Sequence, residues 1–207
     1  MNQTTPTRLI LTATRLFADN GFDGTSVRDI TRAADANLGA ITYHFGSKQA
    51  LYEAVIQTAF APVTDRLAEP AARGAAGRQQ SGLDRVEAIM RLLFAHISAN
   101  PHLQLLILRQ IVQSGALVCP ARQTLGLILG EVTRAIRDGQ ADGSIREGDA
   151  VQTAVSVMSQ PAYFGLIRRL LPERLSDGRD TSVTTEELTE HAVRFVRAGL
   201  TGWREAR

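Results

Sequence analysis

Between its glycine and proline breaks, nearly every segment of this chain repeats apolar residues at helical spacing, and no stretch alternates apolar and polar residues between hairpin turns. An apolar row every three to four residues serves one face of a helix, whereas a half-buried strand needs period two. The pattern confines the chain to an all-α fold. With 207 residues and 44% hydrophobic content there is material for a sizeable core. The longest apolar runs, such as LLIL, fall far short of the roughly 18 to 20 residues that cross a bilayer, and no signal-peptide pattern opens the chain. A cytoplasmic location without a membrane partner is expected. Cys119 is the only cysteine, which excludes an intramolecular disulfide and a multi-cysteine zinc site. It reads as an inert small apolar residue or as a redox sensor without a resolving thiol.

Local signals divide the chain further. Thr5-Pro6 is a helix start, a capping hydroxyl with proline at the first helical position; Leu9, Ala13, Leu16 and Phe17 then share a face until Asn20-Gly21 stops the helix. Ser26 with Asp29 forms a capping box for a short helix from Val27 to about Ala34, with Val27, Ile30 and Ala34 inward. Asp35 to Asn37 interrupts the pattern, and Leu38 to Phe45 carries Leu38, Ile41 and Phe45 at helical spacing. Gly46 breaks that helix, Ser47 caps the next, and Leu51, Val55, Ala59 and Val63 stripe a longer one that Pro62 bends. From Ala68 to Gly82 the text AEPAARGAAGRQQSG has no apolar stripe and reads as a helix end entering a mobile connection. Five further helical segments follow: Leu83 to Ala99, Pro101 to Gln113, Pro120 to Gly139, Asp149 to Leu171, and Thr184 to Arg204, the last with a Thr184–Glu187 capping box. The expected division is 1–48, a connecting helix 49–67, a connection 68–82, and a second helical domain 83–207.

A net charge of +2 does not by itself announce a nucleic-acid partner, so placement must carry the case. Two short helices joined by a three-residue turn describe a helix-turn-helix, whose second helix enters a DNA major groove, or equally a corner of an ordinary bundle. Removing the inward residues leaves Asn37, Gly39, Ala40, Thr42, Tyr43, His44 and Lys48 as the outer set. Gly39 and Ala40 leave room for close approach, Thr42 offers a methyl or hydroxyl to a base edge, and Tyr43, His44 and Lys48 can donate to phosphates. Lys48 is the only lysine of the chain. In a first helical turn an ammonium is disfavoured by a few tenths to ~1 kcal/mol, which an external phosphate would offset. On that reading Lys48→Ala weakens binding to all sequences with a shallower salt dependence, while Thr42→Ala changes base preference.

The stretch GTSVRDITRAADANLGAITYHFGSKQALY, Gly24 to Tyr52, resembles the DNA-binding domain of the TetR family of bacterial transcription regulators, most of all in its ending YHFGSKQAL. The resemblance implies a three-helix DNA-binding domain, and a helical C-terminal domain that binds a small-molecule effector and forms a homodimer. It places Thr25, Tyr43, His44 and Lys48 at phosphate-contact positions, and Arg28, Leu38, Gly39 and Thr42 where bases or backbone are met. Departures are Asp35, at a turn position where the family usually has glycine, and Thr31 and Thr42, which replace a commoner alanine and tyrosine. Ser159 to Leu171, SQPAYFGLIRRLL, is similar to the CecR-like subgroup.

In the second domain Pro101 to Gln113 is apolar on almost every side and is interrupted by Arg109, which could pair with an acid from a neighbouring helix or await an anionic or carbonyl-bearing ligand. Gln110 and Gln113 could line the same cavity or a solvated edge. Val151, Val155, Met158 and Ala162 on one helix, with Leu188, Ala192, Phe195, Val196 and Gly199 on the last, form stripes that either pack within the subunit or make the four-helix dimer seam that the resemblance implies. His96, His102 and His191 lack partners at ligand spacing, so neither metal nor cofactor is expected. No hydrolase elbow, P-loop or zinc-protease motif occurs, which speaks against an enzyme. The sequence therefore points to a ligand-responsive repressor that binds a palindromic DNA operator as a homodimer. An activator of the same fold and a helical ligand-binding or scaffold protein without DNA binding are the alternatives.

Overall fold

The structure is a computed structural model that describes residues 4–69, 80–114, 119–167 and 184–202. Among these residues there are nine α-helices and no strand. They are α1 Thr5–Asn20, α2 Val27–Ala33, α3 Ala40–Phe45, α4 Lys48–Ala68, α5 Gly82–Ala99, α6 Pro101–Ser114, α7 Cys119–Ala141, α8 Ala150–Ile167 and α9 Thr185–Thr201. Among the described residues no helix is long and apolar enough to cross a membrane. The expected connection falls mostly on residues outside those described, as do the ends of the segments expected to reach Leu171 and Arg204.

Contacts group the chain into two units, residues 1–62 with 100–125 and residues 63–99 with 126–207. These boundaries differ from the expected division at 48 and 83, because α6 lies against α1 and so joins the amino-terminal helices.

In the first unit, Leu9, Ala13, Phe17 and Ala18 of α1 are buried, together with Ile30, Ile41, Leu51, Val55 and Ile56. Tyr52, Phe60, Leu103 and Leu106 add to this core, and burying a side chain of Leu or Ile size contributes roughly 1.5–3 kcal/mol. The rings of Phe17, Phe22 and Tyr52 meet at centroid distances of 5.1 to 5.7 Å, two of the three contacts edge-on. Burial pushes the Tyr52 phenol up to about 12. Gly21 ends α1 at φ 79°, its N–H donating to Phe17 O at 2.9 Å. The helix begins one residue earlier than its proline suggests: Thr4 is the N-cap, and its hydroxyl meets Thr7 Oγ1 at 2.9 Å rather than an amide.

In the second unit, α5 packs on α8 and α9 through Val86, Ile89, Met90, Leu93 and Phe94. The start of α5 touches α7 backbone to backbone: a Cβ on Gly82 would lie 2.1 Å from Gly139 N and 2.4 Å from Ala135 O. Gly82 N–H donates to Asp142 Oδ2 at 2.8 Å and Leu83 N–H to Ser144 Oγ at 3.2 Å, which satisfies amides that a helix start leaves open. Hydrogen bonds from the Ser144 side chain, then from the Gly82 and Ser144 amides, hold the Asp142 carboxyl below its usual range. Arg146 closes the other end of α9, with Nε donating to Gly199 O and its own N–H to Leu200 O, both at 2.8 Å. Glu87, buried on α5, pairs with Arg197 of α9 and Arg91, while Arg91 also holds Glu190 at 2.8 and 3.2 Å. The Glu87–Arg91 pair has the local i, i+4 spacing, whereas the contact with Arg197 joins residues 110 apart and leaves no local signal.

Candidate nucleic-acid interface

Three local devices build the site. The Ser26–Asp29 capping box is formed in both directions, with Ser26 N–H to Asp29 Oδ2 at 3.0 Å and Asp29 N–H to Ser26 Oγ at 3.1 Å. The Ser26 hydroxyl and then its backbone N–H hold the Asp29 carboxyl below its ordinary range. Asp35 then turns the chain at φ 48° and is the one non-glycine residue with positive φ among the described residues. An L side chain costs about 1–2 kcal/mol there, less for aspartate, so the departure from glycine leaves the turn geometry in place. Finally Gly46, at φ 84°, ends α3 with its N–H on Thr42 O at 3.0 Å. Ser47 Oγ caps the following helix by accepting from Ala50 N–H at 3.0 Å.

Helix α3 begins at Ala40, two residues later than the spacing suggests, because Asn37 to Ala40 close a turn with Ala40 N–H on Asn37 O at 2.9 Å. Leu38 consequently does not face the core and is 54% exposed. Ile41 is the residue that anchors α3 inward. Thr31, buried on α2, satisfies its hydroxyl on Val27 O at 3.0 Å.

Of the expected contact residues, Arg28, Asn37, Leu38, Gly39, Thr42, Tyr43 and His44 are exposed and Ala40 is half-buried. Tyr43 is 85% exposed and meets His44 edge-on at 4.8 Å. Gly39 has an ordinary helical backbone, and a Cβ placed on it would find nothing within 4 Å. Neither conformation nor packing within the chain calls for glycine there. Asn37, Gly39, Tyr43 and His44 also line a cleft of about 540 Å³ whose other wall is Thr5 and Arg8 of α1.

Two of the residues expected to contact DNA have partners within the chain. Thr25 is 1% exposed, and its hydroxyl donates to Gly21 O at 2.8 Å and Leu16 O at 3.1 Å, tying off the end of α1. Lys48 does not point its ammonium outward: Nζ donates to Phe22 O at 2.8 Å and Thr25 O at 3.0 Å and lies 4.1 Å from the Phe22 ring centroid. The loop before α2 presents those carbonyls to the start of α4, and carbonyl dipoles with a ring face offset the unfavourable helix end from inside the molecule.

The remaining candidates separate in the same way. Among the described residues no acid side chain pairs with Arg109; its Nη1 donates to Asp19 O at 2.7 Å, near the carboxyl end of α1 where a cation is favoured. Gln110 is half-buried, and the Gln113 and Cys119 side chains lie outside those described. On α9, Ala192 and Val196 are buried at 1% and 7% exposure, so they belong to the inner face with Thr189, Val193 and Leu200. Phe195 and Gly199 are exposed and Leu188 is half-buried; on α8, Val151, Val155 and Ala162 are exposed and Met158 half-buried.

A capped short helix, a left-handed turn and an uncovered second helix define a helix-turn-helix, the class of domain that presents a helix to a DNA groove. Residues 9–55 match the family model described as bacterial regulatory proteins, tetR family. It is 41% identical over 56 residues to the Probable HTH-type transcriptional regulator YttP of Bacillus subtilis, covering 27% of each chain. It is 34% identical over 53 residues to IcaR of Staphylococcus aureus, the biofilm operon icaADBC HTH-type negative transcriptional regulator, covering 26% of this chain and 28% of that one. The chain thus spans little more than a quarter of either relative. The fold is similar throughout to that of AibR in complex with isovaleryl coenzyme A and operator DNA, at TM-score 0.69 and 18% identity, covering 93% of this chain and 97% of that one.

Proposed function

We propose that this chain is a transcription repressor that binds a palindromic operator as a homodimer and is released by a small-molecule effector. The observation that carries the DNA reading is the vacancy at Gly39, where a missing side chain serves nothing inside the molecule and leaves the wall of α3 open to close approach. Around it Thr42, Tyr43, His44 and Asn37 offer a methyl, hydroxyls, an imidazole and an amide to base edges and phosphates. The negative regulation named for IcaR and the operator and coenzyme A thioester bound by AibR support the repressor and effector readings.

Support for a dimer comes from α8 and α9. Around α9, Leu188, Phe195 and Gly199 fall within about 20° of a common line at 100° per residue, while the buried row is centred roughly 100° away. On α8, Val151, Val155, Met158 and Ala162 form a comparable outward line beside buried Ala154 and Val157. Two apolar lines of this kind suit a four-helix seam with a second copy. Binding to successive major grooves requires the two copies of α3 to reach positions one DNA turn apart, about 34–36 Å. An effector weakens operator binding only by its preference between two forms of the dimer, typically ~1–3 kcal/mol.

Selection of duplexes from a randomised library followed by gel-shift titration tests the reading. Enrichment of an inverted repeat, bound as two protomers per duplex and lost with rising salt, is expected. Failure to enrich any duplex would sink it. Phe195→Asp should separate the protomers in sedimentation velocity and weaken binding to the full repeat far more than to a half-site.

A further inference from the structure

Nothing in the sequence pattern sets Arg8 apart from the other arginines, yet its side chain reaches from α1 to the turn before α3: Nη2 donates to Asp35 O at 3.1 Å, across 27 residues. Asp35 is the residue held at φ 48°, where an L side chain crowds its own backbone. The amide side of the turn is already fixed, with Asp35 N–H on Arg32 O at 3.3 Å and Ala36 N–H on Thr31 O at 2.9 Å. What those bonds leave open is the Asp35 carbonyl, whose direction decides how the chain departs toward Gly39 and Ala40. Nε of the same guanidinium is buried without a hydrogen bond, a desolvation cost that the bond to the turn offsets.

We infer that Arg8 is a positioning residue for the recognition helix: by holding the Asp35 carbonyl it keeps a strained turn in its left-handed state and so fixes α3 against α1. The inference rests on the DNA-binding reading for its functional consequence, though not for its structural one. Glycine at position 35 would populate the left-handed state unaided. The tether and the strain are therefore coupled, and a substitution at one alters what the other contributes.

Hydrogen exchange on the DNA-free chain tests the tether. Arg8→Ala should speed exchange of the Ala36 and Ala40 amides by about tenfold, the worth of one charge-assisted hydrogen bond. In the Asp35→Gly background the same substitution should change it by no more than about twofold. Equal effects in both backgrounds, or none in either, overturn the inference. Arg8→Gln keeps part of the aliphatic stem and carries the same comparison if the alanine variant does not fold. Titration of the library-selected duplex over several salt concentrations supplies the second arm. A positioning role lowers affinity about equally at every salt concentration, whereas a slope shallower by about one assigns Arg8 to a phosphate and overturns the inference. If the wild-type chain selects no duplex, the DNA reading falls while the exchange arm still decides Arg8.

Discussion

The loop between α1 and α2 and the outer face of α3 draw on the same stock of side chains and use them in opposite ways. At the loop, the Thr25 hydroxyl and two of the three Lys48 ammonium N–H groups, the latter from α4, go to the carbonyls of Leu16, Gly21, Phe22 and Thr25 itself. On α3, Thr42, Tyr43 and His44 are exposed, and Gly39 faces open space. A polar side chain near a binding face is thus no evidence of an external partner until the nearby carbonyls have been counted. Where the backbone leaves carbonyls unmatched, they claim the donor first.

The sharpest way to break this contrast is Gly39→Asp. Aspartate is a good residue at a helix cap and meets no neighbour, so thermal stability should hold, while a like charge at the phosphate backbone should cut duplex affinity at least about a hundredfold in gel shifts. Lys48→Ala should do the reverse. It should destabilise the fold by about 1.5–3 kcal/mol in urea titration, the range for hydrogen bonds from a charged donor, and leave the salt slope of DNA binding unchanged. A shallower slope would restore the phosphate role that its position suggests. Thr25→Val, which keeps the shape and loses the hydroxyl, should cost about 0.5–1.5 kcal/mol of stability with base preference unaltered.

The smallest expected effect is one of pH. Burial lowers the His96 pKa, so the folded chain binds its proton less readily than the unfolded chain. Its contribution is complete above the unfolded value of about 6.5 and is lost as pH falls below it. The lowered carboxyls of Asp29 and Asp142 act later, being stabilising above their unfolded range near 4 and failing only as pH falls through it. Urea midpoints measured from pH 7.5 to 5 should therefore decline in the wild type and flatten in His96→Gln.

What the sequence made legible was local. Capping boxes at Ser26 and Thr184, the glycine stops at Gly21 and Gly46, and the turn at Asp35 depend on residues within a few positions of one another, and each appears in the structure. Lys48, Arg109 and the Glu87–Arg197 pair were not legible in the same sense, because the partners are backbone carbonyls or a charge 23 to 110 residues away. The apolar stripe expected on α9 divides between two faces. Ala192 and Val196 sit only about 40° and 80° around the helix from Leu188, and spacing alone cannot tell one edge of an apolar sector from its centre. The exposed pair Phe195 and Gly199 became distinct once α5 was seen to cover the adjoining row.

At the crossing of Gly82 and Gly139 the two main chains touch, leaving no side chain between them to act as a cushion. Helix α5 is thereby held against α7 at its first residue, so any tilt it makes against α8 and α9 pivots there rather than sliding along α7. Measured from that pin, its last residue lies about 25 Å away at 1.5 Å per residue, so a tilt of about 5° displaces the far end by about 2 Å while the near end stays still. In such a tilt the fulcrum would lie at one tip, and the contacts nearest Ala99 would have to yield the most.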